Sequence, residues 1–129
     1  MTNIISLLAE ALRSSERPVF FTGAGISTES GIPDFRSPKT GLWNKMQPIQ
    51  FQDFICSEEI RRESWSRKFA GEGNMATAKP NLGHRALVEL FALEKCHGVI
   101  TQNVDNLHQE SGLPEELIVE LHGNATYAK

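Results

Sequence analysis

Three short apolar runs in this chain each give way to residues suited to touching a ligand. Val19-Phe20-Phe21-Thr22 leads into Gly23-Ala24-Gly25-Ile26-Ser27, and Val99-Ile100-Thr101 leads into Gln102-Asn103-Val104-Asp105-Asn106. A third run, Leu117-Ile118-Val119-Glu120-Leu121, ends in His122. Runs of this length, rich in β-branched and aromatic residues, read as strands, and the helical patterns between them predict an α/β sheet of parallel strands. In such sheets ligands bind outside the carboxyl ends of the strands. Glycines that admit a backbone, amides and a carboxylate that orient, and an imidazole that moves protons near neutral pH would then share one crevice. That combination reads as a nucleotide site with chemistry attached.

The rest of the composition excludes other classes. At 129 residues the chain fits one ordinary domain, and its net charge of −3, with Lys and Arg scattered, argues against a nucleic-acid footprint. Cys56 and Cys96 form no metal-spaced pair, so no metal ligand is assigned; Cys96 reads as a buried small hydrophobe. Ile4, Ile5, Leu7, Leu8, Ala11 and Leu12 share a helical stripe. No basic residue precedes that stripe, and Glu10 and Glu16 are wrong for a transit peptide. No stretch spans a bilayer, so the expectation is a cytoplasmic protein without membrane contact.

Along the chain, Thr2 or Asn3 caps a first helix that ends before Pro18, and strand one follows at Val19–Thr22. Ser27 caps a short helix that Gly31-Ile32-Pro33 stops. From Asp34 to Asp53 the chain is rich in Pro, Gly, Asn and Gln, a stretch that is either disordered or a functional lid; the aromatics Phe35, Trp43 and Phe51 favour a lid that orders on a ligand. Ser57-Glu58-Glu59 starts a further helix that Gly71-Glu72-Gly73-Asn74 ends. Asn81 caps an amphipathic helix whose apolar positions are Leu82, Ala86, Leu87, Leu90, Phe91 and Leu93. Gly98 breaks to strand two, and Asp105 caps a short helix closed by Gly112. Three strands make a small sheet with one face and an edge poorly covered, so the expectation is an incomplete Rossmann-like sheet, the first part of a larger domain.

Each candidate group carries a plain reading beside the chemical one. Gly23-Ala24-Gly25 is either a simple strand–helix turn or a pyrophosphate loop; Thr28 stands where the G-x-G-x-x-G fingerprint has its third glycine, which argues against a routine dehydrogenase. Asp34, Phe35 and Arg36 are either a salt bridge beside a core ring, or a group in which Asp34 orients Arg36 toward a phosphate and Phe35 covers a flat ring. Asp105 alone suits an N-cap, whereas Gln102-Asn103-Val104-Asp105 as a group suits a ribose or a carboxamide. His122 is a structural histidine or a general base. His84 and His97 lack a comparable context, and His108 reads as a partner of its own helix or as solvated.

These segments, together with Gly31-Ile32-Pro33-Asp34-Phe35-Arg36, Thr101-Gln102-Asn103-Val104-Asp105-Asn106-Leu107-His108 and Leu121-His122-Gly123, resemble the signature series of the sirtuins, which are NAD-dependent protein deacylases. The resemblance implies a Rossmann-like part (residues 1–35 and 81–129), a cofactor-binding loop (36–56) and the helical part of a small module (57–80). It implies that Gly23, Ala24, Gly25 and Thr28 lie against the NAD phosphates and ribose, with Arg36 nearby and Asp34 beside it. Phe35 would shield the reacting carbon, Ile32, Asn103 and Asp105 would form the nicotinamide pocket with Asp105 holding the carboxamide, and Val104 would be a further cofactor-binding residue. Gln102 would hold the nicotinamide ribose, His122 would act as general base on that ribose, and Asn103 would be a second catalytic residue. The substrate implied is an acetyl-lysine protein or peptide, since Ser64-Trp65-Ser66-Arg67 lacks the tyrosine of the family's acidic-acyl pair. The family's zinc cysteines, expected in the full-length member, have no counterpart among these residues. Mono-ADP-ribosyl transfer and a non-catalytic NAD-binding module are the other functions compatible with the pattern.

Overall fold

The computed structural model describes residues 3–127, with residues 71–74 as backbone alone. Five helices, α1 (Ile4–Ser14), α2 (Phe51–Cys56), α3 (Glu58–Thr77), α4 (Leu82–Ala92) and α5 (Leu107–Glu110), accompany three strands, β1 (Val19–Thr22), β2 (Gly98–Thr101) and β3 (Ile118–Glu120). The sheet is wholly parallel, in the order β1-β2-β3, as an α/β architecture requires. Register aligns Phe20, Val99 and Ile118 on one face and Phe21, Ile100 and Val119 on the other.

Only the first face is covered. Val99 is fully buried with Leu87, Cys96 and Leu113, and Phe20, Ile26, Val88, Leu90 and Ile118 pack around them. On the other face Phe21 is 64% exposed and Val119 53% exposed, and the apolar stripe of α1 is exposed as well. Two layers alone therefore bury this core. No helix among the described residues is long and apolar enough to cross a membrane.

Local signals explain most boundaries. Asn3 accepts the Ile5 N–H at 3.0 Å and so caps α1, while Thr2 lies outside the described residues. Ser57 accepts the Ile60 N–H at 3.3 Å, and Glu58 and Glu59 occupy the first turn of α3. That helix does not stop at Gly71-Glu72-Gly73-Asn74 as the sequence suggests. It continues to Thr77 and leaves helical geometry only at Ala78, just before Lys79-Pro80. A glycine inside a helix costs about 1 kcal/mol relative to alanine but does not end it without a left-handed turn. In α4 the buried stripe runs through His84, Leu87 and Val88 rather than through all the leucines, and Leu82 and Leu93 are largely exposed.

The 34–53 stretch is ordered by its own hydrogen bonds. The N–H groups of Leu42 and Trp43 bond the carbonyls of Asp34 and Phe35 at 2.9 and 3.1 Å, and Gly41 bonds Ser37 at 2.9 Å. A short 3-10 turn at Leu42–Asn44 and helix α2 further shape it. Gly41 is there for space: a Cβ on it would lie 2.7–2.8 Å from the backbone of Phe35, Arg36 and Ser37. Gly41→Ala is expected to open this loop at roughly 1–3 kcal/mol of local strain. Limited proteolysis should then cut within residues 34–46 faster while the thermal midpoint of the core changes little. An unchanged cleavage pattern would show the close approach to be relaxed at no penalty.

Candidate functional site

Because all strands run parallel, the residues that follow β1, β2 and β3 emerge at one edge of the sheet, and strand spacing places the outer two about 10 Å apart. The ladders continue one step past the strands: the Gln102 N–H bonds the Thr22 carbonyl at 3.1 Å, and the Leu121 N–H bonds the Thr101 carbonyl at 2.9 Å. The polar segments are thus fixed to one another at their first residue.

Between β1 and β2 these segments form a buried polar knot. Asn103 Nδ2 donates to the Gly23 carbonyl at 3.0 Å and to Ser27 Oγ at 3.2 Å. Ser27 Oγ in turn donates to Asp105 Oδ2 at 2.6 Å, and Asp105 Oδ1 accepts the Leu107 N–H at 3.0 Å. Ser27, Asn103 and Asp105 are all buried. Ser27 is therefore no helix cap. The 3-10 turn Ala24–Ser30 begins after Gly23, and Ser27 points inward from its middle toward the second strand. Asn106, not Asp105, is the N-cap residue of α5; Asp105 stands one residue earlier, where one carboxylate oxygen accepts the helix's first N–H and the other ties that helix to the glycine turn. A charge-assisted bond as short as 2.6 Å belongs to the strong class, so the knot pre-sets the turn.

Other candidates lie around it. Gly25 is exposed, and a Cβ there would meet nothing within 4 Å, so the outer side of the turn is open. Ala24 follows Gly23 at the start of the turn, whose first N–H groups have no intrahelical partners. Thr28 is exposed and donates to the Gly25 carbonyl at 2.9 Å. Ile32 is half-buried, with its N–H on the Ser27 carbonyl at 3.3 Å, and Gln102 is exposed beside Gly23. Val104 is half-buried, and its carbonyl accepts the Ala125 N–H at 2.8 Å, which ties the turn after β3 to the segment after β2.

Asp34 does not orient Arg36. Its carboxylate accepts the Ser37 N–H at 3.0 Å and the Ser37 hydroxyl, bonds that hold its pKa below the usual carboxylate value. An aspartate bonding the backbone a few residues on is a turn-forming arrangement. Arg36 instead lies over the Trp43 ring at 4.6 Å, and that ring sits 5.8 Å from Phe35. The guanidinium and two partly exposed rings form one cluster on the loop.

His122 is exposed and lies in a cleft of about 460 Å³ with Ile118, Glu120, Gly123, Asn124 and Tyr127. Gly123 has φ +77°, a value that L side chains rarely adopt, so the chain can turn directly after the imidazole. A larger cleft of about 670 Å³ involves Glu16, Lys95 and Leu117 and lies at the amino ends of β2 and β3, away from all these groups.

Two residues of consequence escape a sequence reading. His108 is fully buried, with Nε2 2.9 Å from Thr22 Oγ1, and its ring lies 5.1 Å from that of His84, also fully buried. His84 Nδ1 accepts the Asn81 N–H at 3.3 Å, a capping box with histidine in the usual place of glutamate. Asn81 Nδ2 meanwhile donates to the Ile26 carbonyl at 2.7 Å, which anchors α4 to the glycine turn. The spacing of asparagine and histidine, three residues apart before an apolar run, is the one trace of this in the sequence.

The donor set fits a dinucleotide. An open glycine turn presents free N–H groups, a guanidinium lies on the adjoining loop, and amide and carboxylate groups converge beneath.

Comparison with known proteins gives the same direction. Residues 23–129 match the family model described as "Sir2 family". Over 125 residues the chain is 53% identical to NAD-dependent protein deacetylase 1 of Bradyrhizobium diazoefficiens, covering 97% of this chain and 49% of the relative. The NAD-dependent protein deacetylase of Rhodopseudomonas palustris matches to the same extent. A solved Sir2 structure with a deacetylated p53 peptide and 3′-O-acetyl ADP ribose superposes with a TM-score of 0.81 at 38% identity, over 93% of this chain and 47% of that one. A Sir2 complex with p53 peptide and NAD+ gives 0.78 at 37% identity, over 95% and 47%. The chain spans about half the length of these relatives. With the motifs, the fold and the sequence identity in agreement, this chain belongs to the Sir2 family.

Proposed function

We propose that this protein, at its natural full length, is an NAD-dependent protein lysine deacetylase. The observation that carries the reading is the buried Ser27–Asn103–Asp105 knot, which locks an open glycine turn to the segment after β2 at the sheet edge where His122 also emerges. The relatives named above bear that activity in their names. NAD supplies a glycosidic carbon that becomes electrophilic as nicotinamide departs, and a ribose hydroxyl that takes over the acyl group. Gly23, Ala24 and Gly25 bind phosphate through backbone N–H groups, with Thr28 and Arg36 alongside. Ile32, Asn103, Val104 and Asp105 hold the nicotinamide end, Gln102 the ribose, and Phe35 excludes water. His122 takes the proton of the ribose hydroxyl as general base.

The acyl group we assign is acetyl, carried on a lysine of a protein or peptide. Arg67, the cation that an acidic acyl group would need, is occupied: it pairs with Glu63 and donates to the Gln47 carbonyl at 2.7 Å. A zinc-bearing module and a cytoplasmic location belong to the same proposal for the whole protein.

The test is incubation with NAD and an acetyl-lysine peptide. Release of nicotinamide together with O-acetyl-ADP-ribose is expected. ADP-ribose label on protein would favour transfer to another nucleophile, and NAD binding without release would favour a binding module. Asp105→Asn should weaken inhibition by added nicotinamide about tenfold, the loss expected for one charged hydrogen bond. An unchanged inhibition constant would remove Asp105 from the nicotinamide pocket.

A further inference from the structure

Beside His122, a carboxylate with no role in the scheme above joins a side-chain network that links the turn after β3 to the segment after β2. Glu120, the last residue of β3, is half-buried and pairs in register with Thr101. Its Oε1 accepts from Gln109 Nε2 of α5 and from Asn124 Nδ2, each at 2.7 Å, and Tyr127 Oη lies 3.4 Å from Oε2. The second N–H of Asn124 Nδ2 goes to Asn106 Oδ1 at 2.9 Å, and Asn124 Oδ1 accepts from the Thr126 N–H and hydroxyl at 2.9 and 2.6 Å.

The Glu120–Asn124 bond therefore closes a bridge under Leu121, His122 and Gly123. The same two side chains reach Gln109 and Asn106, both on the segment that follows β2. Asn106 holds φ +64°, a left-handed conformation that asparagine visits more readily than most residues, and its side chain is held by Asn124 from the turn after β3. Backbone bonds from the Leu121 and Ala125 N–H groups anchor the two ends of this turn, while Gly123, with its positive φ, adds little stiffness between them, so the side chains that bracket the turn complete its hold on the imidazole. Glu120 is the one charged member of that bracket and lines the same cleft as His122.

We propose that Glu120 is a positioning residue: its carboxylate bridges the turn bearing His122 to the segment bearing Asn103 and Asp105, and so fixes the imidazole relative to the nicotinamide end of the site. The effect on rate rests on the deacetylase reading; the effect on the imidazole does not. A misplacement of about 1 Å in a catalytic group costs on the order of 100-fold in rate. In the full-length protein, Glu120→Ala is expected to lower kcat for acetyl-peptide-dependent nicotinamide release roughly 10- to 100-fold. The dissociation constant for NAD should stay within about twofold, because the glycine turn is held separately by Ser27 and Asn103. Glu120→Gln keeps an acceptor at the bridge and should recover most of kcat.

Wild-type kcat in the alanine variant would overturn the proposal. So would equal losses in both variants, or NAD affinity falling in step with kcat, since either describes a general loss of fold. If the wild-type protein releases no nicotinamide, the deacetylase reading fails instead, and NMR of the His122 ring decides the positioning claim. One sharp set of ring resonances that shifts and broadens in Glu120→Ala and returns in Glu120→Gln supports it; spectra unchanged in the alanine variant refute it.

Discussion

Replacing His122 by alanine in the full-length protein is expected to lower acetyl-peptide deacetylation about 10²- to 10⁴-fold, the range that a positioned general base contributes. NAD affinity should survive. The groups assigned to the cofactor sit on the glycine turn and on the segment after β2, and their mutual bonds run through Ser27, Asn103 and Asp105 without involving the imidazole. His122 is exposed at the end of the third strand, so truncation leaves no cavity in the core formed by Leu87, Cys96, Val99 and Leu113. The turn itself is retained by the Glu120–Asn124 bridge and by the bond from the Ala125 N–H to the Val104 carbonyl. Calorimetry with NAD and a nicotinamide-release assay on the same preparation separate the two quantities. Turnover within threefold of wild type would assign the base to another group, and a parallel loss of NAD binding would make His122 part of the cofactor site.

What the sequence discloses about this fold follows the range of the forces involved. Strand β1 is legible to the residue, because a four-residue apolar run between Pro18 and Gly23 leaves no alternative. Strand β3 is shorter than its apolar run: Leu117 closes the 3-10 turn Glu115–Leu117, and Leu121 already bends toward His122. Asn3, Ser57 and Asn81 act as caps through bonds to N–H groups two or three residues away, and so they can be read locally. Ser27 bonds across 78 residues to Asp105, and nothing near either position announces the pair. Asp34 is a different case. Its partner is Ser37, three residues on, and a turn signal of that kind was present in the sequence but overshadowed by the neighbouring arginine. The imidazoles of His84 and His108 were the least legible, since a lone histidine in an amphipathic helix carries no sign of what lies opposite.

Those two rings give the largest expected effect on stability. Both are neutral in the folded chain for reasons visible in their partners. His84 Nδ1 accepts the Asn81 N–H, so a second proton on the ring would set two donors against each other. His108 bonds Thr22 through Nε2, while His108 Nδ1 and His84 Nε2 find no partner among the described residues. Burial first, and then the neighbouring His84, push the His108 pKa down from 6.5 to about 4, against the pull of Asp105. Burial also lowers His84, again opposed by Asp105. As pH falls below about 6.5 the unfolded chain binds protons that the folded chain refuses, so stability declines, and the decline from His108 is complete near pH 4, where the folded ring also takes its proton. A shift of that size corresponds to about 3 kcal/mol, a large share of what holds a domain of this length. The depressed carboxylate of Asp34 contributes stability that is fully present above its ordinary value of 3.8 and is lost only below it, so urea midpoints between pH 7 and pH 5 report on the histidines rather than on this group. His108→Gln keeps a hydrogen-bonding partner for Thr22 without a titrating ring and should flatten that pH dependence, whereas His97→Ala, at an exposed position, should leave it unchanged. If His108→Gln titrates as steeply as the wild type, the acid sensitivity resides elsewhere and the buried pair is merely packed.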